Sequence, residues 1–140
     1  MEIKIRYDNG VEHIIQAHDG EWYDLRAAED VTYHEGTIVI ISLGVAMQLP
    51  EGYEAIVKPR SSTARKYGLI FADSGVIDNA YCGNDDVWSS TWYAAKYGHI
   101  EKNTRIAQFR IQRVQEKVDF VRVDRLESEN RGGYGSTGER

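Results

Sequence analysis

The sequence predicts a mainly β protein that folds as a sandwich or a small barrel. Residues 3–7 and 107–112 alternate apolar with polar side chains, which is the period of a half-buried strand. Turn sequences rich in Gly, Pro, Asn and Asp separate the extended stretches, and helices do not alternate with them, which argues against a parallel α/β sheet. The 140 residues suffice for one core, so we expect a single domain.

The first half of the chain predicts three strands. Residues 3–7 form the first, and the sequence Asp-Asn-Gly at 8–10 then supplies the residues that a tight hairpin turn demands. Residues 37–49 are rich in β-branched side chains and form the second strand, which ends at Pro50. The third covers residues 53–58.

The second half adds one short helix and further strands. Residues 62–67 predict the helix, which a serine can cap and which Gly68 can end in the left-handed conformation. Residues 75–83 predict a strand, a turn and a returning strand. The alternation over residues 107–112 predicts a strand that places Gln108 on the opposite face from its apolar neighbours, and residues 118–123 predict a last strand.

The composition excludes several classes of function. A net charge of −5 gives no broad positive field, which disfavours nucleic-acid binding. The single cysteine, Cys82, cannot close an intramolecular disulfide, and this fits a reducing cytoplasm. No apolar run approaches the roughly 18 residues of a membrane span, and the N-terminus has no signal-like stretch. We therefore expect a cytoplasmic, unprocessed protein without a membrane partner.

The first candidate site is the tetrapeptide Pro-Arg-Ser-Ser at residues 59–62, at the junction of a strand and the short helix. The fork of Arg60, the hydroxyls of Ser61 and Ser62 and the free N–H groups of a helix start can together bind phosphate oxygens. A helix cap beside a surface arginine explains the same residues equally well.

A second candidate lies in the predicted hairpin of residues 75–83. The carboxylate of Asp78, three residues before the ring of Tyr81, can activate a water beside a stacked sugar or base. Taken alone, a surface hairpin with an ordinary Asx turn is the better interpretation. The glycine-rich residues 131–138 offer backbone N–H groups and hydroxyls to an anion, although such C-termini are often simply disordered.

Taken in order, five segments resemble the five motifs of the trimeric dUTPase family. They are residues 23–28, residues 59–62, residues 75–78 with Tyr81 and Gly83, residues 105–109 and residues 133–138. Residues 84–99 make the span between the third and fourth motifs longer than in many relatives, and this segment is rich in Trp and Tyr. In both respects it is similar to the dUTPases of certain Gram-positive bacteria and their temperate phages.

The resemblance implies a distorted β-barrel or jelly-roll subunit, with a domain over residues 1–126 and a flexible glycine-rich arm over residues 127–140. It implies a homotrimer in which each active site draws motifs from more than one chain. The implied reaction is hydrolysis of dUTP to dUMP and pyrophosphate, which keeps uracil out of DNA and supplies dUMP for thymidylate synthesis.

The resemblance also implies the roles of individual residues. Asp78 would orient and deprotonate the attacking water, and Gln108 would position that water and the phosphates. Mg²⁺ would be carried mainly by the substrate phosphates, with Asp24 in its outer shell at most. The substrate-binding set is Arg60, Ser61, Ser62, Ile77, Tyr81, Arg131, Tyr134, Gly135, Ser136 and Thr137.

Within that set, the hairpin around Ile77 would read uracil through its backbone, and Tyr81 would stack under the deoxyribose. Arg131 is the candidate contact to the γ-phosphate, and Tyr134 the candidate ring over uracil.

The role of residues 84–99 stays open. Trp88 and Trp92 can form a lid over the base in place of Tyr134, or the segment can bind another protein, although packing in the core or the trimer interface is the first choice.

Two rival functions also stay open. One is a dCTP deaminase, which shares the fold and a similar Arg-Ser-Ser segment. The other is a nucleotide-dependent regulator that binds a protein through residues 84–99.

Overall fold

The computed structural model describes residues 1–15 and 21–133. Within these ranges the chain forms strands and one short helix, in agreement with the predicted mainly β class. The strands are β1 (Lys4–Tyr7), β2 (Tyr23–Arg26), β3 (Val31–Tyr33), β4 (Ile38–Ser42), β5 (Val45–Gln48), β6 (Tyr53–Pro59), β7 (Leu69–Phe71), β8 (Val76–Ile77), β9 (Ser89–Ala94), β10 (Gly98–Ile100) and β11 (Arg105–Arg113), and the helix is α1 (Thr63–Tyr67).

The strands pair antiparallel in small open sheets around one core. Their orders are β1-β5, β10-β3, β2-β11-β6-β8 and β4-β9-β7. Over the described part of the chain none of these sheets closes on itself, so the architecture is the jelly-roll form of the predicted fold. The helix α1 has five residues, and the described residues contain no helix that could cross a membrane.

Two tryptophans form the centre of the core. Trp88 and Trp92 are 1% and 0% exposed, and they are the largest fully buried side chains. The indole N–H of Trp92 donates to the Ser90 hydroxyl at 2.7 Å, which in turn donates to the Ile41 carbonyl at 3.0 Å. Phe109 of β11 packs edge-on against Trp88 with ring centroids 5.3 Å apart. Truncation of either indole to alanine should cost about 3–5 kcal/mol.

The first half of the chain differs from the sequence prediction at two turns. Residues 8–10 do form a tight turn, with Gly10 at φ 78, but β1 then pairs with β5, so the expected hairpin is absent. The single strand predicted over residues 37–49 is two strands. They separate at Gly44, which has φ 65 and no room for a Cβ beside Val11 and Ala28.

The helix agrees with the prediction at its end and differs at its start. Gly68 is left-handed, at φ 67, and donates its N–H to the Ala64 carbonyl. Ser62 occupies the N-cap position, but its hydroxyl makes no cap hydrogen bond. The buried Thr63 hydroxyl instead donates to the Ile106 carbonyl at 2.7 Å, which ties the helix to β11.

Two predicted strands are wrong in this single chain. No strand returns after β8, because the chain continues as turns and loop to the start of β9. The strand predicted over residues 118–123 is also absent. Regular structure ends with β11, and residues 114–133 are exposed, with Phe120 at 95%. The apolar alternation is present there, but nothing in the described chain pairs with it.

The buried phenol of Tyr33 makes the free energy of unfolding fall at alkaline pH. Its hydroxyl donates to the Tyr67 carbonyl at 2.6 Å, and burial, with a smaller contribution from Tyr67, raises the pKa of Tyr33 above its ordinary value of 10.0. A raised pKa means that the folded chain holds the proton more tightly than the unfolded chain. This contribution is therefore complete below pH 10.0 and is lost as the pH rises through the folded-state pKa.

We expect Tyr33→Phe to remove this pH dependence. The free energy of unfolding, measured by urea titration from pH 8 to about pH 11, should fall more steeply above pH 10 in the wild type than in the variant. Tyr97→Phe, at a tyrosine that is 62% exposed, controls for removal of a phenol. Parallel curves for the wild type and Tyr33→Phe would contradict the expectation.

Candidate active site

A tight turn follows β8 and presents the first group of candidate residues; residues 75–83 are called the hairpin, although no returning strand follows β8 in this described stretch. Gly75 has φ 74, and its carbonyl accepts the Val57 N–H at 2.6 Å. A Cβ at residue 75 would lie 2.3 Å from the Val57 carbonyl oxygen, so only glycine permits this approach. Ile77 pairs with Ala55 of β6, which fixes the hairpin to the edge of the four-stranded sheet.

Asp78 and Tyr81 lie at the turn of this hairpin. One carboxylate oxygen of Asp78 accepts the Ala80 N–H at 3.0 Å, which is the Asx turn expected from the sequence. For its other oxygen the described residues offer no hydrogen-bond donor. The Tyr81 hydroxyl donates to the Val87 carbonyl at 3.0 Å, and its ring stays 41% exposed. A free carboxylate oxygen and an accessible ring face are thus presented side by side.

A cavity of about 260 Å³ opens beside the hairpin. Such a volume admits a planar ring with its substituents. Trp88 contributes to its wall, and the buried indole N–H of this residue has no partner among the described residues. The lining residues are Val57, Phe71, Asp73, Gly75, Val76, Ile77, Asp78, Tyr81, Trp88 and Ser89.

The second group of candidate residues is an ionic cluster on β2, β11 and the segment after β6. The Asp24 carboxylate lies 3.3 Å from the Arg60 Nε and 3.3 Å from the Arg105 guanidinium. Two guanidiniums against one carboxylate leave an excess positive charge. All three side chains remain partly exposed, so the cluster can accept an anion.

Strand β11 holds this cluster in place. The Gln108 amide donates to the Pro59 carbonyl at 3.0 Å, and the Arg60 N–H donates to the Ile106 carbonyl at 3.3 Å. Ser61 is exposed and Ser62 half-buried directly after Arg60. Arginine, hydroxyls and the first turn of α1 are thus side by side, as the phosphate-site interpretation predicts.

The hairpin and the ionic cluster are separated within one chain. Gln108 of β11 pairs with Lys58 of β6, whereas Ile77 of β8 pairs with Ala55 of β6. Strand β6 therefore lies between β11 and β8. Two strand spacings and three residues along the strand place Gln108 and Ile77 about 14 Å apart. A single water cannot connect groups at that distance, so one chain presents two half-sites.

Several predicted site residues need correction or lie outside the description. Trp88 and Trp92 are buried in the core, so the lid proposed for them is wrong: neither ring can swing over a ligand without emptying the core. Arg131 is exposed. Tyr134, Gly135, Ser136 and Thr137 lie outside the described residues.

The structure also bears on the expected metal. The Asp24 carboxylate is already neutralised by two arginines, which makes it a poor direct ligand. In residues 1–15 and 21–133 no three acidic, histidine or cysteine side chains gather as metal ligands. This donor set fits a Mg²⁺ ion that arrives with a triphosphate rather than one held by the protein alone.

Two residues, one in the cluster and one beside it, were assigned no role from the sequence. Arg105 pairs with Asp24 across β11 and β2. Lys58 is exposed and lies in register with Gln108 and Asp24, which gives a polar row across three strands. A period of two from Lys58 to Arg60 was the available signal.

The fold and the two half-sites define a class: a mainly β protein with a cavity beside a carboxylate and an aromatic ring, and a separate cluster with excess positive charge. A model of the dUTPase family matches residues 20–138. The chain belongs to the dUTPase family.

Named relatives agree with this assignment. The chain is 49% identical over 140 residues to the SPbeta prophage-derived deoxyuridine 5'-triphosphate nucleotidohydrolase of Bacillus subtilis (strain 168), with 99% of each chain covered. It is 40% identical over 126 residues to the deoxyuridine 5'-triphosphate nucleotidohydrolase of Thermobifida fusca (strain YX), covering 87% of this chain and 70% of the relative. The resemblance to enzymes of Gram-positive bacteria and their phages is confirmed.

Solved structures share the fold. A mutant dUTPase of Staphylococcus bacteriophage 80alpha with dUpNHpp superposes with a TM-score of 0.79 at 23% identity, over 98% of both chains. A mutant dUTPase from phage phi11 of S. aureus, which coordinates a structural Mg(II) ion, gives 0.75 at 20% identity, over 91% of this chain and all of that one.

The close approach at Gly75 is open to a matched test. Gly75→Ala combines a positive φ with a Cβ clash against the Val57 carbonyl, and should destabilise the fold by about 2–4 kcal/mol. Gly36→Ala is the control, because Gly36 also has positive φ, at 82, but nothing within 4 Å of the added carbon. Its cost should be about 1 kcal/mol. Urea unfolding at one fixed protein concentration measures the free energy of unfolding of both variants. Equal losses of this free energy in the two variants would contradict the clash.

Proposed function

We propose that this chain hydrolyses dUTP to dUMP and pyrophosphate. The observation that carries the proposal is the hairpin, which presents the free oxygen of Asp78 and the ring of Tyr81 beside a cavity of the right size for a base. The relatives named as deoxyuridine 5'-triphosphate nucleotidohydrolases support the same activity. Such an enzyme keeps uracil out of DNA and supplies dUMP for thymidylate synthesis.

In the proposed reaction Asp78 is the general base. Its free oxygen takes a proton from a water that attacks the α-phosphorus, and the bond from that phosphorus to the bridging oxygen breaks so that pyrophosphate leaves. The Asx turn holds the other oxygen, which orients the carboxylate before the substrate arrives. Tyr81 packs against the deoxyribose with the face of a ring whose hydroxyl is fixed, and a 2′-hydroxyl would collide with it.

The phosphates bind at the ionic cluster. Arg60, with Ser61 and Ser62, would hold the α- and β-phosphates, and Gln108 keeps that segment in place through the Pro59 carbonyl. Bound Mg²⁺ would neutralise phosphate charge, and it would be held chiefly by phosphate oxygens and water, with Asp24 no closer than its outer shell. Arg131, Tyr134, Gly135, Ser136 and Thr137 of the arm would close over the triphosphate and the base.

The separated half-sites support a homotrimer with shared active sites. A chain that holds Ile77, the neighbour of Asp78, about 14 Å from its own Gln108 needs the cluster of a second copy to complete a site. The exposed apolar residues 118–126 support association as well, because Phe120 and Leu126 are 95% and 79% exposed. We propose that this stretch, followed by the arm of residues 127–140, packs on a neighbouring subunit.

The chain offers a receptor for that stretch. A groove of about 410 Å³ lies between β1 and β11, with both polar and apolar lining, and Glu21 and Arg110 belong to its polar part. Its apolar lining comes from Met1, Ile3, Ile5, Tyr7, Ile14, Tyr23, Met47, Phe109 and Ile111. We propose that the groove of each subunit receives Phe120 or Leu126 of another, which removes both surfaces from water.

Residues 84–99 keep a role as a candidate protein-binding surface. After burial of the two tryptophans, Tyr93 and Tyr97 remain outward, 43% and 62% exposed. On the register of β4 and β9, Tyr93 lies next to exposed Ile38, which extends the apolar surface. A phage dUTPase with this fold is described as controlling transfer of virulence genes. We propose that the outward tyrosines, Tyr93 and Tyr97, are the contact for a regulatory protein partner.

The reaction has a direct test. Wild-type protein with Mg²⁺ should release pyrophosphate from dUTP and only slowly from dTTP, dCTP or UTP. Asp78→Asn keeps the Asx acceptor but loses the base, so kcat should fall by about 10²–10⁴-fold with KM nearly unchanged. Ammonia release from dCTP without pyrophosphate would instead show a deaminase. We further propose the cytoplasm as the site of action, because the single cysteine, Cys82, cannot close an intramolecular disulfide and a reducing compartment fits this.

Shared sites can be tested by subunit mixing. Asp78→Asn and Arg60→Gln chains are each expected to be inactive alone. When they are unfolded together at equal amounts and refolded, sites built from two different chains should recover about a quarter of the wild-type activity. Sites built within one chain would recover none, because no chain then carries both intact residues. Each variant refolded alone serves as the control.

A further inference from the structure

We propose that Asn79 and Arg6 are positioning residues that fasten the active-site hairpin at two separate points, Asn79 beside the base Asp78 and Arg6 behind the sugar-binding Tyr81. The inference rests on the proposed function for its kinetic consequences. Arg6 belongs to β1, before the residues that the family model matches.

The hairpin needs such support because its own pairing is short. Strand β8 contributes only Val76 and Ile77 to the sheet, and the chain then has no regular pairing until β9 begins at Ser89. A loop of this length with so few sheet hydrogen bonds would open locally at low cost. Side chains from elsewhere in the fold supply the missing constraints.

Asn79 provides the first point. Its side-chain amide donates to the Pro50 carbonyl at 2.8 Å and to the Tyr53 carbonyl at 2.8 Å. Both acceptors belong to the turn that joins β5 to β6, and that turn is closed by the Tyr53 N–H on the Pro50 carbonyl. Only an amide can donate both bonds from a side chain of this size. Since Asn79 directly follows Asp78, this double bond fixes the backbone that carries the base.

Arg6 provides the second point. Its Nε and one terminal nitrogen donate to the Asn84 carbonyl at 3.0 and 2.7 Å, while the other terminal nitrogen binds Asp8 at 2.7 Å. Asn84 lies in a turn closed by Gly83 and Asp86, through the Gly83 N–H on the Asp86 carboxylate at 2.8 Å.

This turn leads directly to the partner of Tyr81. Val87 follows Asp86, and its carbonyl accepts the Tyr81 hydroxyl at 3.0 Å. The position of the ring therefore depends on the position of the turn, which Arg6 holds from another sheet. Loss of Arg6 should free the ring to move aside, and a 2′-hydroxyl would then be admitted.

The experiment compares kinetic and structural readouts of four variants. Arg6→Met removes the guanidinium, and Arg6→Lys keeps a charge and a single donor. Asn79→Ala removes both amide bonds. Asn84→Ala is the matched control, because Arg6 binds the backbone carbonyl of Asn84, which alanine retains. For each variant kcat and KM are measured with dUTP and UTP, together with Tm and amide hydrogen exchange over residues 78–88.

We expect the two points to separate in the kinetics. Arg6→Met should lower the preference for dUTP over UTP, in kcat/KM, by about tenfold, and Arg6→Lys should restore part of it. Asn79→Ala should lower kcat for dUTP by about tenfold with KM changed less than about twofold. Both should speed amide exchange in residues 78–88, and Asn84→Ala should match the wild type throughout.

Other results would overturn the inference. A lower Tm with unchanged kinetics and unchanged local exchange would show a purely structural role. An equal loss of kcat and selectivity in both variants would contradict the separation of the two points. A wild-type protein that does not cleave dUTP would refute the proposed function together with these kinetic roles. Faster local exchange in the variants would even then establish the fastening itself.

Discussion

The pairing of β11 with two neighbours at once is the constraint on which the rest of the molecule depends. Because β2 and β6 flank this strand, the register brings Asp24, Gln108 and Lys58 into one row on the outer face. On the inner face of the same strand Phe109 packs against the Trp88 indole. One strand therefore holds both the ionic cluster and a wall of the core in place, and neither can shift without the other.

Few side-chain hydrogen bonds connect the candidate site residues to the strands of the core. Thr63 ties the short helix to β11 through one buried hydroxyl, and Gln108 ties the arginine-bearing segment through one amide. The ionic cluster gains little stability from its exposed pairs, since such pairs contribute about 0–1 kcal/mol each. Backbone pairing instead fixes the geometry of the cluster, and weak exposed pairs of this kind can exchange one counter-charge for another.

The sequence was sufficient for the fold class and for the character of most candidate residues. Strict alternation located β11, and glycine located the end of the helix, because both signals are local. The same reasoning failed where the outcome depends on distant partners. Nothing near Gly10 indicates that β1 pairs with β5, and an aromatic stretch does not reveal that Trp88 and Trp92 face inward. Likewise, the bonds of Arg6 and Asn79 span 78 and up to 29 residues of sequence.

The exposure of residues 114–133 has a consequence for the order of folding and assembly. These residues are exposed throughout and make no contribution to the core. A chain can therefore pack its interior before the segment proposed to join subunits meets a neighbour. Loss of a neighbour would expose this segment again without opening the interior, so dissociation and unfolding of the subunit can be separate events.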